Sequence, residues 1–169
     1  MRKGKMMLRL YTVGLLGLPF LAGASTSETR NIYLILHSPQ PTCNVTVRST
    51  LELGSITMGD SPHSPFPVSI SCTGTVKSAL TARNKTGTLQ TDQYRVFVPM
   101  SNAGVANGPF LWLQDGNSKL KLTGQSVDAF CTGTSTSRTC NVTPWTRAEG
   151  DSGWGNGAAT INFEIIYPA

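Results

Sequence analysis

The sequence predicts an all-β domain built as a two-sheet sandwich. Three features carry that expectation. Short runs rich in β-branched and aromatic residues recur along the chain. Clusters of Gly, Pro, Ser, Thr and Asn separate them. No stretch beyond the first residues sustains the apolar spacing of three and four that a helix needs.

The first residues are an address. Arg2, Lys3 and Lys5 make a positive start, residues 10–21 (LYTVGLLGLPFL) are apolar, and Ala22-Gly23-Ala24 is a small-residue cleavage site. This is the pattern of a secretory signal peptide over residues 1–24. The alternative, a membrane anchor, needs about 20 apolar residues, and this run has 12. Four of the 14 basic residues (Arg2, Lys3, Lys5, Arg9) lie in this leader. Ten basic residues then face nine acidic ones, a net of +1 for the exported chain. With no Lys/Arg run left, neither nucleic acid nor an anionic membrane surface is an expected partner.

After the leader the strand candidates come in order. They are IYLIL (32–36), NVTVR (44–48), LELGSI (51–56), FPVSISC (66–72), ALTAR (79–83), YRVFVP (94–99), FLWLQ (110–114), KLKL (119–122) and ATINFEIIY (159–167). SPQP (38–41), MGDSPHSP (58–65), NKTG (84–87), residues 101–109, QDGNS (114–118) and residues 148–157 read as turns. Phe66, Val68, Ile70 and Cys72 alternate onto one face, and so do Ile161, Phe163, Ile165 and Tyr167. Antiparallel strands that each bury one face stack into two sheets. No internal repeat or second domain interrupts the series.

The four cysteines, Cys43, Cys72, Cys131 and Cys140, all follow the leader. An even number in an exported chain implies two disulfides. Of three pairings, Cys43–Cys72 with Cys131–Cys140 is the expected one, because each joins sequence neighbours. Spacings of 29, 59 and 9 fit no zinc pattern, so no metal is expected. The chemistry-bearing residues point away from an enzyme and from any cofactor. His37 and His63 are the two histidines, and the chain has no GxSxG elbow, HExxH helix or phosphate loop. Trp112 reads as core, and Trp145 and Trp154 as loop caps. Trp154, flanked by Gly153 and Gly155, is the residue best suited to touch a ligand such as a sugar.

Taken together, the leader, PTCNV (41–45), LGSI (53–56), FPVSISC (66–72) and the C-terminal strand ending in Tyr167 resemble a pilin, the fimbrial subunit of the bacterial chaperone–usher pathway. The resemblance spans the exported chain and rests on the order of these elements. It implies an incomplete immunoglobulin-like β-sandwich over residues 43–169, completed by a donated strand. It implies a periplasmic pilus chaperone, an outer-membrane usher and other pilin subunits as partners, a host receptor or glycan as a further candidate, and a place in a cell-surface fimbrium of a Gram-negative bacterium. Ile161, Phe163, Ile165 and Tyr167 would then line the groove that receives the donor. In the arm, residues 25–42, Ile32, Leu34 and Leu36 share one face of the one strand available. That strand can be a donor for a neighbour or the domain's own first strand, and the residues leave both open. The second assignment would make this a tip subunit; either suits a minor subunit better than a bulk rod protein. Two departures stand out: Tyr167, followed by Pro168, is third from the end rather than next to last, and only 18 residues, 25–42, precede Cys43, where the family has a donor segment and then a first strand. Two other functions compete. One is a single-domain secreted carbohydrate-binding adhesin with a complete sandwich. The other is a secreted hydrolase, which needs His37 or His63 to meet a nucleophile and a carboxylate.

Overall fold

The computed structural model describes residue 30, residues 32–102 and residues 108–168. The predicted leader, residues 1–24, lies outside them. The chain divides into two units, Met1–His37 and Ser38–Ala169. In the first, residues 32–37 form no strand, and the side chains of Ile32, Tyr33, Leu34, Ile35 and Leu36 are 80–95% exposed.

Among the described residues of the second unit, the regular elements are β-strands apart from one 3-10 turn at Ser126–Asp128. Its strands are β1 (Cys43–Thr46), β2 (Gly59–Pro62), β3 (Phe66–Asn84), β4 (Thr88–Leu89), β5 (Val96–Phe97), β6 (Met100–Asn102), β7 (Phe110–Asp115), β8 (Ser118–Lys119), β9 (Phe130–Ala148), β10 (Trp154–Gly157) and β11 (Ile161–Ile166). Nine of them share one antiparallel sheet, with the path β1-β3-β9-β7-β5-β4. β11 also pairs β3, β2 pairs β9, and β8 pairs β7. β6 and β10 form a separate two-stranded sheet.

The single sheet becomes two layers because its longest ribbon bends. β3 and β9 pair from Phe66↔Val142 to Leu80↔Phe130, with a register shift between Ser71 and Val76. Cys131 and Cys140, nine residues apart on β9, have Cα atoms 6.1 Å apart. A straight strand would hold them about 30 Å apart. Phe163 stands opposite Ala82 at one end of β3, yet its ring meets that of Phe66, at the other end, with centroids 6.1 Å apart. A straight strand would separate Phe66 from Ala82 by about 50 Å. The two halves of β3 therefore face each other across a core.

That core is filled as the alternation requires. Phe66, Val68 and Ile70 point inward from the first half of β3, and Leu80 and Ala82 from the second. Val96, Leu113, Leu120, Leu122, Phe130 and Val142 complete the cluster. Each fully buried aliphatic side chain contributes roughly 1.5–3 kcal/mol. The bend is held at both of its strands. Cys131 sits there with φ at 52°, and the Cys131–Cys140 bond closes the loop. Arg138 donates from Nε to the Cys131 carbonyl (2.8 Å), from Nη1 to Gly133 (3.2 Å) and from Nη2 to Ser78 (2.5 Å). One guanidinium thus ties three backbone carbonyls, two on β9 and one on β3.

Several expectations need correction. The FPVSISC and ALTAR runs are one bent strand, not two. Residues 130–148, not expected to be a strand at all, form the 19-residue β9. Residues 51–56 form no strand, and YRVFVP contributes two ladder residues, Val96–Phe97. Leu120 and Leu122 are core, although only Ser118–Lys119 next to them is strand. The expected turn at 58–65 contains β2, and those at 101–109 and 148–157 contain parts of β6 and β10.

Replacing Arg138 by Met should remove these three hydrogen bonds and cost about 2 kcal/mol of stability. Urea unfolding of the variant beside the parent measures it. No loss would mean that the Cys131–Cys140 bond holds the bend alone.

Candidate functional site

The site is an edge. β9 occupies one side of β3, and the other side is shared end to end by two short strands. β1 covers Ser69 to Cys72, and β11 covers Ala79 to Asn84. Among the described residues, β1 and β11 each have no ladder partner except β3. Since β3 bends between them, β1 lies in one layer and β11 in the other, and the opening between their free edges leads to the core.

Alternation places apolar side chains along that opening. On β11, Ile161, Phe163 and Ile165 are half-buried and pack on the core cluster. Val45 on β1, with Val47 and Leu51 after it, is also half-buried, and all three pack on the same cluster. Phe163 lies edge-on to both Phe66 and Phe130, with centroids 6.1 and 6.2 Å away. Tyr167, the last of the alternating residues, reaches from the end of β11 to β1, where its phenol oxygen accepts the Cys43 N–H at 2.9 Å. Cys43 is bonded to Cys72, which fastens β1 to β3 at its first residue.

The structure thus brings together Cys43, Cys72, Ile161, Phe163, Ile165 and Tyr167, all singled out from the sequence. The β1 side of the opening was not singled out, although Val45 and Val47 in NVTVR carry the same two-residue alternation.

The strand that carries β11 is supported from behind. Gly124 N–H donates to the Ala82 carbonyl (2.8 Å), and Asn84 N–H to the Leu122 carbonyl (3.0 Å). The supporting segment is tied by Asp128, whose Oδ2 accepts from the Thr123 hydroxyl (2.5 Å) and whose Oδ1 lies 3.2 Å from Lys121 Nζ. The Thr123 hydrogen bond, with help from Lys121 and against the effect of burial, holds the Asp128 carboxyl below its ordinary value of 3.8.

Other sequence-selected residues lie elsewhere. Trp154 is on β10, opposite Asn102, and is 70% exposed. It is a strand residue rather than a loop cap. The next residue, Gly155, has φ of 94°, and a Cβ there would collide with the Ser101 side chain, so the approach of β10 to β6 requires glycine. Trp112 is buried and stacks on Trp145 with centroids 6.0 Å apart. Trp145 sits in β9, not in a loop. His63 lines a cavity of about 270 Å3 together with Glu52 and Ser64. Its Nε2 is hydrogen-bonded to Thr146 Oγ1 (2.8 Å). Among the described residues no hydrogen bond joins His63 to Glu52 or Ser64, so the cavity holds no assembled acid–base–nucleophile relay. No group of three His, Cys, Asp or Glu side chains is placed to hold a metal among the described residues.

No protein-family model and no curated protein matches the sequence. Among solved structures, the fold is similar to the crystal structure of the P pilus rod subunit PapA. The TM-score is 0.56 at 12% identity, over 75% of this chain and 99% of that one. The chain has a pilin-type, immunoglobulin-like β fold.

Asp128 makes this fold acid-sensitive in a defined direction. Its carboxyl titrates lower when folded than when unfolded, so its contribution is complete above about pH 5 and is lost as pH falls through the lower folded value. Asp128→Asn should lower stability at neutral pH and flatten the loss of stability between about pH 5 and pH 2. Thermal melts across that range, parent against variant, check it.

Proposed function

We propose that this chain is a non-enzymatic structural subunit of an adhesive fimbria, exported and then assembled by strand donation. The observation that carries the reading is the pair of open edges on β1 and β11, flanked by half-buried Val45, Ile161, Phe163 and Ile165. An edge of this kind exposes backbone donors and acceptors beside apolar surface, which invites another strand. A periplasmic pilus chaperone would cover it first, and a neighbouring pilin subunit would replace the chaperone in the fibre, delivered through an outer-membrane usher. The likeness of the fold to a pilus rod subunit supports this class of function.

The arm supports a donor role. Ile32, Leu34 and Leu36 are exposed and in no strand, while the sheet has its own first strand at Cys43–Thr46. On that reading the subunit both accepts and donates, and belongs within the fibre rather than only at its tip. Any glycan or host receptor that this subunit meets directly would be met at Trp154, the aromatic ring that the β6–β10 ribbon holds out to solvent. The competing reading, an adhesin with a complete sandwich, is disfavoured by the two unpaired edges.

Periplasmic co-expression of the full chain with a pilus chaperone tests the proposal. A one-to-one complex is expected from the intact chain, and no complex from a chain lacking residues 160–169. Phe163→Asp, which puts a charge in the opening, should reduce the yield of complex at least about tenfold. A stable monomer that ignores the chaperone would overturn the reading.

A further inference from the structure

The open edge of β1 is not uniformly free. In an antiparallel ladder, residues directly opposite each other alternate between pairs that exchange hydrogen bonds, about 5.5 Å apart at Cα, and pairs that do not, about 4.5 Å apart. Cys43 and Cys72 are opposite each other with Cα atoms 4.0 Å apart, the spacing of a pair that does not exchange. The neighbouring pair bonds across the ladder: Thr73 N–H donates to the Thr42 carbonyl at 2.9 Å, and Thr42 N–H donates back to the Thr73 hydroxyl at 3.1 Å. The N–H of Cys43 therefore points away from β3, toward the open edge. By the same alternation, so does that of Val45, opposite Ile70.

These two outward donors differ. The N–H of Cys43 is taken by the Tyr167 phenol oxygen at 2.9 Å. Among the described residues, no bond of that kind meets Val45. Tyr167 has the parity of Ile161, Phe163 and Ile165, so it is the last side chain in the row lining the opening, and it is the one that crosses to β1. The next residue, Pro168, has no N–H to offer a ladder. Both sides of the opening thus stop at the same end.

We propose that Tyr167 is the end-stop of the acceptor edge. By holding the outward N–H of Cys43, it makes Val45 the first residue of β1 that a donated strand can pair with, and so fixes the register in which that strand seats. This rests on the strand-acceptor reading above. One residue of slip would turn every donor side chain to the wrong face, so a fixed stop has a purpose.

Amide hydrogen exchange, read by NMR on the exported chain, tests it, with a synthetic peptide of residues 31–37 as the donor probe. Before peptide is added, the Cys43 amide should exchange about fivefold to tenfold more slowly than that of Val45, after correction for intrinsic rates. Peptide should then slow Val45 and leave Cys43 unchanged. In Tyr167→Phe, Cys43 should begin as fast as Val45, and peptide should slow both. Equal rates for the two amides in the parent, which needs no variant to measure, would overturn the proposal. So would a Tyr167→Phe chain in which peptide slows Val45 but Cys43 behaves as in the parent. If peptide fails to slow Val45 in the parent, the acceptor reading itself fails and the end-stop with it.

Discussion

Everything in this fold depends on what lies beside β3. One of its sides is paired with β9 from Phe66 to Leu80. The other is divided between two strands too short to fill it, β1 at Ser69–Cys72 and β11 at Ala79–Asn84. Because the β3–β9 ribbon folds over between those two stretches, the divided side falls in both layers. The core is closed by side chains from both halves of β3, yet the backbone edges nearest to it stay open. The bend also explains why Arg138 and the Cys131–Cys140 bond sit where they do. They tie and close the stretch where the ladder changes register, between Ser71 and Val76 and again between Ser78 and Leu80.

The open edge has an energetic meaning. Full burial of an aliphatic or aromatic side chain is worth roughly 1.5–3 kcal/mol, and Ile161, Phe163 and Ile165 realise only part of that. Covering them would recover much of the remainder, while pairing the edge would satisfy its backbone groups. The arm has the reverse deficiency. Its alternating apolar residues at 32, 34 and 36 are almost wholly in water. An alternating apolar segment exposed to water, and a sheet in which β1 and β11 pair with β3 alone among the described residues, are what strand donation between copies or partners would bring together.

Much of this could be read from the residues. The alternation of Ile161 to Tyr167 and of Phe66 to Cys72 gave both strands and their inward faces, and FLWLQ gave β7 almost to the residue. What escaped was β9. Residues 131–139, CTGTSTSRT, carry no apolar alternation, because no residue of that stretch is buried in the core. Its Gly and Ser residues instead imitate a turn. The bend was hidden for a related reason. It is made by a register shift and by Arg138 reaching three carbonyls, and neither leaves a local pattern. Leu120 and Leu122 reach the core without ladder pairing, so their alternation was real but did not mean strand. The contact between Cys43 and Tyr167 joins residues at opposite ends of the domain and could come only from the fold.

The most direct measurement is to supply a candidate neighbour covalently. Residues 31–37, added after residue 169 through a flexible linker, would offer β11 a strand to its open side. Urea unfolding of this chain beside the parent then reads the gain. An unfilled edge predicts a large rise in the unfolding midpoint, together with slowed exchange of the β11 amides that face away from β3. An unchanged midpoint and unchanged exchange would contradict it, and would mean that the sheet is already complete without a donor.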